Sequence, residues 1–248
     1  MRAALLAAGV SVGAASAPLS AKADPPSRAS AASLAPPAPA GSVAPAGSVG
    51  PAGSVAPAVA KLLARAREEV SRRVIYDGRY QRLTFEDGHD RGRFVYPRGD
   101  VAPDRGVCTD VVVRAFRAAG VDLQSAVHED VEAHPAAYRA VVRVPDANID
   151  HRRVGVLAVF FGRRSPRLPT TAAEPRSFRP GDIVVWSFGA CPACKLDHIG
   201  LVSDRMGPRG LPLVIHNLGP HPTEDDALDA WALAGHYRYA FAASDRGS

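Results

Sequence analysis

The 248-residue chain is 46% hydrophobic and 22% charged, with 22 glycines, 22 prolines and three cysteines. This composition is typical of a globular protein with a Pro/Gly-rich part, and it excludes collagen, coiled coils and small disulfide-dense scaffolds. Thirty basic against 25 acidic side chains give a formal net charge of +5. Because this surplus is small and no basic run is interleaved with aromatic residues, no nucleic-acid partner is predicted.

The N-terminus has the pattern of an export signal. Arg2 precedes an apolar stretch over residues 3–12, and small residues at 14–17 and 21–23 offer cleavage sites. We therefore predict a signal peptide over residues 1–23 and an exported protein, with an Ala-rich disordered tail as the alternative. Elsewhere no apolar run is long enough for a membrane span, so none is predicted in the mature chain.

Residues 24–57 are rich in Pro, Ala, Gly and Ser, and an Ala-Pro-Ala-Gly-Ser-Val unit recurs there imperfectly. Such a segment cannot bury enough apolar surface to offset the entropy lost on ordering, so it is predicted to be a disordered linker. Residues 58–248 remain, and they are numerous enough to form one domain with its own core.

In this domain helical periodicity comes first and strand periodicity follows. Apolar residues at helical spacing predict helical segments at about 58–73, 107–119, 124–142 and 150–162. Alternating patterns predict four short strands at 183–188, 198–203, 213–217 and 235–241. The acidic residues 224–226 resemble the first turn of a further helix. The order predicts an α+β fold, with N-terminal helices packed on a small antiparallel sheet of about four or more strands.

Cys108 lies in the first turn of the second predicted helix. The unpaired N–H groups and the positive dipole end of a helix start stabilise a thiolate, and Arg105 nearby adds to this effect. The same N–H groups, including that of Cys108, are suited to hold the oxyanion that forms when a thiolate attacks a carbonyl. The position predicts an activated nucleophile, with a buried structural cysteine as the alternative.

His198 begins one predicted strand and His216 ends the next. Neighbouring strand ends can bring two imidazoles together, although two structural histidines would give the same pattern. A cysteine, then a strand histidine, then a polar group on the following strand is the chain order of papain-like hydrolases. In those enzymes the histidine takes the thiol proton and the third group fixes its tautomer and orientation.

Seven collinear blocks cover the domain from about residue 60 to 242. They are 96–112 (YPRGDV…CTDVV), 127–130 (VHED), 145–153 (PDANIDHRR), 180–186 (PGDIVVW), 198–204 (HIGLVSD), 215–219 (IHNLG) and 235–239 (GHYRY). Together they resemble an exported bacterial family of unknown function, number 1287, which is similar to the NlpC-type papain-like cysteine peptidases.

The resemblance implies a papain-like fold and an enzyme that cleaves amide bonds in cell-wall peptides of the periplasm or extracellular space. It implies Cys108 as the nucleophile and His198 as the base. His216 then takes the third, orienting position, for which Asn217 is a rival.

A second group of residues is predicted to bind substrate at the rim of the cleft. These are Arg105, Asp150, His151 and Arg152. Arginines would suit the carboxylates of peptidoglycan stem peptides. For residues 150–153 a helix N-cap with solvated charges is the alternative.

Cys191 and Cys194 lie in the turn before His198 and depart from the family pattern. In an exported chain, two cysteines at this spacing most simply form a local disulfide, which leaves Cys108 as the free thiol. Cys191, Cys194 and His198 also make up half of a zinc signature. If zinc took His198, that residue would not be available as the base.

Together these observations predict an exported cysteine hydrolase that cleaves an amide bond in peptidoglycan peptides through a thioester, without a cofactor. The expected partner is a cell-wall peptide or another amide substrate, and the chain is expected to be a monomer. Two other functions stay open. One is a non-catalytic cell-envelope binding module of the same fold, and the other is a zinc-binding protein.

Overall fold

The computed structural model describes residues 55–79, 82–85, 95–166, 168–189 and 195–241. These ranges fall within the second of two units into which the chain divides, Gly50–Ser248. The predicted signal peptide, the linker up to residue 54, and both Cys191 and Cys194 lie outside the described residues.

The helices come first in the chain, in the order that the periodicity predicts. They are α1 (Pro57–Ser71), α2 (Cys108–Ala118), α3 (Leu123–Ala133), α4 (Pro135–Tyr138) and α5 (Val154–Arg164), with 3₁₀ turns at Asp150–Arg152 and Pro175–Ser177. Pro57 suits the first turn of α1, where its missing N–H would have no partner. Gly120, at a φ of 92°, adopts the left-handed conformation that ends α2.

The strands follow. They are β1 (Ile75–Tyr76), β2 (Arg105–Gly106), β3 (Ile183–Ser187), β4 (His198–Met206), β5 (Pro212–His216), β6 (Thr223–Asp225) and β7 (Ala232–Tyr237). The first two form a short parallel pair. The other five form an antiparallel sheet in the order β6-β5-β4-β3-β7. The predicted α+β class, with helices and a small antiparallel sheet, is confirmed.

The acidic residues 224–226 do not begin a helix, as the sequence suggested. The first two lie in β6, an edge strand that pairs with β5. Glu224 accepts hydrogen bonds from Arg67 of α1, and Asp225 contacts His216. Strand pairing and these partners, which are distant in sequence, override the local preference of acidic residues for a helix start.

Both faces of the sheet are buried, because successive apolar residues along a strand point to opposite faces. The residues that face the helices are Ile183, Val185, Ile199, Leu201 and Ile215. Those of the opposite face, with Phe178 and Leu228 packed on them, are Val184, Trp186, Val202 and Val214. Helix α2 packs against β4 on the helical side, so the start of α2 is held against the sheet.

Phe116 of α2 provides a test of this core. Its ring is fully buried, and its centroid lies 5.3 Å from those of Phe161, Tyr239 and Phe241. We expect Phe116→Ala to lower the free energy of unfolding by about 3–5 kcal/mol, because it leaves a cavity. Urea denaturation measures the loss. The exposed Val144 is the control position, since Val144→Ala should change stability by less than about 0.5 kcal/mol. A loss below about 1 kcal/mol for Phe116→Ala would contradict this packing.

Candidate active site

Two buried charged side chains, Asp110 and Arg152, fix the position of the first turn of α2. The Asp110 carboxylate accepts a 2.7 Å hydrogen bond from the backbone N–H of Val107, the N-cap residue. Arg152 donates two hydrogen bonds, of 2.7 and 2.9 Å, to the same carboxylate. A carboxylate is favourable at a helix N-terminus, and a bidentate guanidinium fixes its direction. Cys108, the first residue of α2, is therefore held at a defined place.

His198 and His216 meet because β4 and β5 are adjacent antiparallel strands. The register pairs Gly200 with His216, so that no side chain stands opposite His216. A Cβ at Gly200 would lie 3.1 Å from Cβ of His216 and 2.8 Å from Cγ1 of Val214. Two residues before Gly200, Nε2 of His198 lies 2.9 Å from Nδ1 of His216. The structure thus joins two of the three predicted catalytic residues by a direct hydrogen bond.

Asp225 belongs to this cluster, and sequence reasoning missed it. Its Oδ1 lies 3.0 Å from Nε2 of His216. Burial raises the pKa of Asp225, but contact with His216 and a hydrogen bond with Thr223 more than offset it, so the pKa falls below the usual value. The sequence signal was the acidic run at 224–226, and nothing local links that run to His216.

An aromatic pocket surrounds His198. Its ring stacks on those of Trp186 and Phe188 at centroid distances of 5.4 and 5.8 Å, and Trp231 stands edge-on at 5.8 Å. Burial, aided by the neighbouring His216, lowers the pKa of His198 to about 3. At neutral pH the imidazole is therefore uncharged, and one of its nitrogens carries a lone pair that can accept a proton.

Cys108 is a free thiol and is only 7% exposed. Burial raises its pKa to about 12 and the charge of Asp110 adds to this, although backbone N–H groups of Ile199, Thr109 and Cys108 itself favour the thiolate. Burial therefore opposes the predicted activation of Cys108 by the helix start. Desolvation of the sulfur outweighs the N–H groups around it.

The sulfur of Cys108 lies beside the beginning of β4. Ile199, whose N–H favours the thiolate, directly follows His198 in the chain. Within the described part of the chain, no hydrogen bond joins Cys108 to His198 directly. Catalytic contacts in unliganded sites are often long and tighten when substrate binds. The resting arrangement is an uncharged thiol in the neighbourhood of an uncharged imidazole.

Asn217, the rival for the third position, makes different contacts. Its Nδ2 donates to the carbonyl of Gly106 at 3.4 Å, and its Oδ1 accepts from the N–H of Gly219 at 3.1 Å. Asn217 therefore connects the end of β5 to the residues just before α2. Of the two candidates, His216 is the one in contact with His198.

The residues predicted to bind substrate lie in two places. Arg105 has a side chain that is 33% exposed and pairs with Asp104 at 3.2 Å. Asp150 and His151 are each 1% exposed, and the side chain of Arg152 is bound to the start of α2. The 3₁₀ turn thus supports the helix from within. Contact of these residues with substrate stays a prediction.

Tyr76 is a second neighbour of the site that the sequence did not reveal. Its side chain is 40% exposed. Burial and the charge of an ionised Cys108 raise the pKa of Tyr76, which places the phenol near the sulfur. Its N–H donates to the carbonyl of Pro220 at 2.9 Å, and a Cβ at Gly219 would lie 3.3 Å from its ring. A strand of two residues carries no periodicity that could have predicted this.

A groove of about 370 Å³ opens beside His216, with Leu218 and Trp231 among its walls. Leu218, Phe188 and Tyr76 are 41%, 48% and 40% exposed. Among the described residues that line the groove there is no lysine or arginine. The groove is therefore mixed in character, with the carboxylates of Asp225 and Asp226 beside the apolar side chains.

The predicted disulfide or zinc cluster at Cys191 and Cys194 lies outside the described residues, apart from His198, which is bound to His216. Over the described ranges, no three His, Cys, Asp or Glu side chains are grouped to hold a metal ion. The same ranges contain no helix that is both long and apolar enough to cross a bilayer.

Comparison with known proteins places these residues in a family. A sequence model described as "Domain of unknown function (DUF1287)" matches residues 63–239, which include the whole candidate site. The uncharacterized protein YijF of Escherichia coli (strain K12) is 43% identical over 176 residues, or 70% of this chain and 78% of that protein. No solved structure matches the chain.

The buried sulfur leads to a test by alkylation. We expect Cys108 to react slowly with iodoacetamide at neutral pH, and its rate to rise steadily up to about pH 10, because burial keeps the thiol protonated. Mass spectrometry measures the rate in a Cys191→Ser/Cys194→Ser background, where Cys108 is the one remaining thiol. The denatured chain is the control, in which the pKa of the Cys108 thiol is expected to be about 8.5. A native apparent pKa below that of the denatured chain would contradict the effect of burial.

Proposed function

Since this chain belongs to the family described as Domain of unknown function (DUF1287), whose description names no activity, we propose its function from the geometry of the site. The protein is an exported cysteine hydrolase with a papain-like fold of the NlpC type. It cleaves an amide bond in peptides of the bacterial cell wall. Cys108 is the nucleophile, His198 the general base and acid, and His216 the group that orients His198.

One observation carries the proposal, which is the direct contact of two imidazoles at adjacent strand ends beside a cysteine that begins a helix. Nε2 of His198 lies 2.9 Å from Nδ1 of His216. The aromatic pocket keeps His198 uncharged, with a pKa of about 3. An uncharged imidazole can accept a thiol proton, whereas a charged one cannot.

The reaction follows from these positions. His198 takes the proton of the Cys108 thiol as the sulfur attacks the carbonyl carbon of the scissile amide. Backbone N–H groups at the start of α2 stabilise the tetrahedral oxyanion. His198 then gives its proton to the amine as the C–N bond breaks, leaving a thioester on Cys108. A water molecule, deprotonated by His198, attacks the thioester and releases the acid and the free thiol.

The raised pKa of Cys108 sets the order of the first step. Because the thiol pKa is about 12 and that of His198 is about 3, the resting pair is neutral. We place proton transfer together with attack on the substrate, because burial disfavours both the free thiolate and the imidazolium. A substrate that fills the cleft also excludes water, which strengthens the hydrogen bonds that stabilise developing charge.

The side chains around the groove indicate which peptide groups the site can accept. Tyr76, Phe188 and Leu218 offer contact to uncharged side chains of a peptide. Because the groove beside His216 is not lined by lysine or arginine among the described residues, a carboxylate of the substrate has no cationic partner there. Leu218 and Trp231 favour uncharged side chains in this groove, and Asp225 and Asp226 favour a positively charged group.

The proposal is tested with purified peptidoglycan and its soluble muropeptides, with products identified by mass spectrometry. We expect wild type to release new fragments and Cys108→Ala to release none. His198→Ala should lower the rate by about 10²–10⁴-fold, the usual contribution of a general base. His134→Ala, at an exposed histidine that pairs with Asp130, is the matched control and should keep the wild-type rate.

Full activity in Cys108→Ala would exclude this mechanism. A folded wild type that releases no fragment from muropeptides or from other peptide amides would exclude the hydrolase.

One observation favours a second candidate function, a non-catalytic module that binds cell-wall peptides in the same cleft. Cys108 is protonated and has no direct hydrogen bond to His198 within the described residues, as a binding cleft would allow. Calorimetric titration with muropeptides separates the two functions. Binding of intact muropeptides without any cleavage would support the module.

A further inference from the structure

The hydrogen bonds that run from β6 to β4 fix which nitrogen carries each proton. Oδ1 of Asp225 lies 3.0 Å from Nε2 of His216. An ionised carboxylate only accepts hydrogen bonds, so Nε2 of His216 must be the protonated nitrogen. The pKa of Asp225 lies below its usual value, because contact with His216 more than offsets burial. Asp225 is therefore ionised at neutral pH.

The hydrogen bond between the two imidazoles fixes the position of the proton on His198. When the His216 ring carries a single proton, and Asp225 holds that proton on Nε2, the lone pair lies on Nδ1. Nε2 of His198 lies 2.9 Å from that Nδ1 and must donate to it. The proton of His198 then lies on Nε2, and Nδ1 of His198 is left with the lone pair.

We propose that Asp225 is a positioning residue that acts through His216 to hold His198 in the tautomer whose Nδ1 is free to accept the thiol proton of Cys108. The proposal rests on the proposed function, since a free lone pair on Nδ1 matters for catalysis only if Cys108 is the nucleophile.

A carboxylate is needed here because an imidazole in the third position is ambiguous. His216 alone could equally donate from Nδ1 to Nε2 of His198, which would place the proton of His198 on Nδ1 and remove the base. An ionised aspartate in that position could only accept, so the contact could not be reversed. Asp225 breaks this symmetry, because it can accept a proton from Nε2 of His216 and cannot donate one.

The position of Asp225 supports this role over a purely structural one. Its side chain is half exposed, so water could satisfy it without His216. Its backbone pairs with Val214 in the register of β6 on β5, and this pairing is independent of the carboxylate. A change confined to the side chain can therefore alter the tautomer and leave the strand in place.

The experiment compares the full chain as wild type, Asp225→Asn and Asp225→Glu. Asp204→Asn is the control, since it makes the same chemical change at a β4 residue whose carboxylate pairs with Arg67 and not with either histidine. Two-dimensional ¹H–¹⁵N NMR of the imidazoles reports which ring nitrogen is protonated in His198 and His216. Muropeptide cleavage gives kcat and KM.

In wild type we expect both histidines to be protonated on Nε2. In Asp225→Asn the side-chain amide can donate to Nε2 of His216, so we expect His198 to shift towards the Nδ1-protonated form. The value of kcat should fall by about 10-fold or more with KM little changed, as for loss of the correct tautomer in other histidine-dependent hydrolases. Asp225→Glu should restore part of kcat, and Asp204→Asn should match wild type in both measurements.

The two proposals fail in different ways. A wild-type His198 protonated on Nδ1, or tautomers unchanged in Asp225→Asn, would overturn the role of Asp225, as would full kcat in an active Asp225→Asn enzyme. If wild type cleaves nothing while the tautomers shift as expected, Asp225 does set the tautomer and the hydrolase proposal fails. If Asp225→Asn does not fold, the tautomers seen in the wild-type spectrum and the kcat of Asp225→Glu still test the role of Asp225.

Discussion

In the central sheet, His198 and His216 meet because β4 and β5 run antiparallel with Gly200 opposite His216. The missing side chain matters, since a Cβ at Gly200 would lie 3.1 Å from Cβ of His216. The same pairing carries β6 on its outer edge and so brings Asp225 to the far side of His216. This strand register thus places three side chains in contact in the order Asp225, His216, His198.

Burial determines the protonation states of His198 and Cys108. The aromatic pocket keeps His198 uncharged, and the interior position of Cys108 keeps the thiol protonated. Neither group is therefore charged at rest, although one stands at a helix start, which favours the thiolate, and the other near a carboxylate, which favours the imidazolium. Desolvation acts on the full charge of an ion, whereas the nearby dipoles and hydrogen bonds compensate only part of it. Asp225, whose side chain is half exposed, is the group that stays ionised.

Periodic segments were predictable and isolated contacts were not. Helices α1 and α2 follow from apolar residues at helical spacing, and strands β3, β4, β5 and β7 from alternation, because each has enough residues to show its period. The short β1 and β6 have too few residues for that. Tyr76 and Asp225, which they carry to the site, were therefore missed.

The amino-acid pattern alone was enough to predict the α+β order of elements, the place of Cys108 at a helix start and the places of His198 and His216 at strand ends. These follow from local periodicity, which any segment displays without reference to its neighbours. Three contacts became known from the folded chain alone: His216 rather than Asn217 contacts His198, Asp225 contacts His216, and Arg152 binds the first turn of α2. Such choices depend on strand register and on desolvation, and both arise only when residues far apart in the chain are packed together.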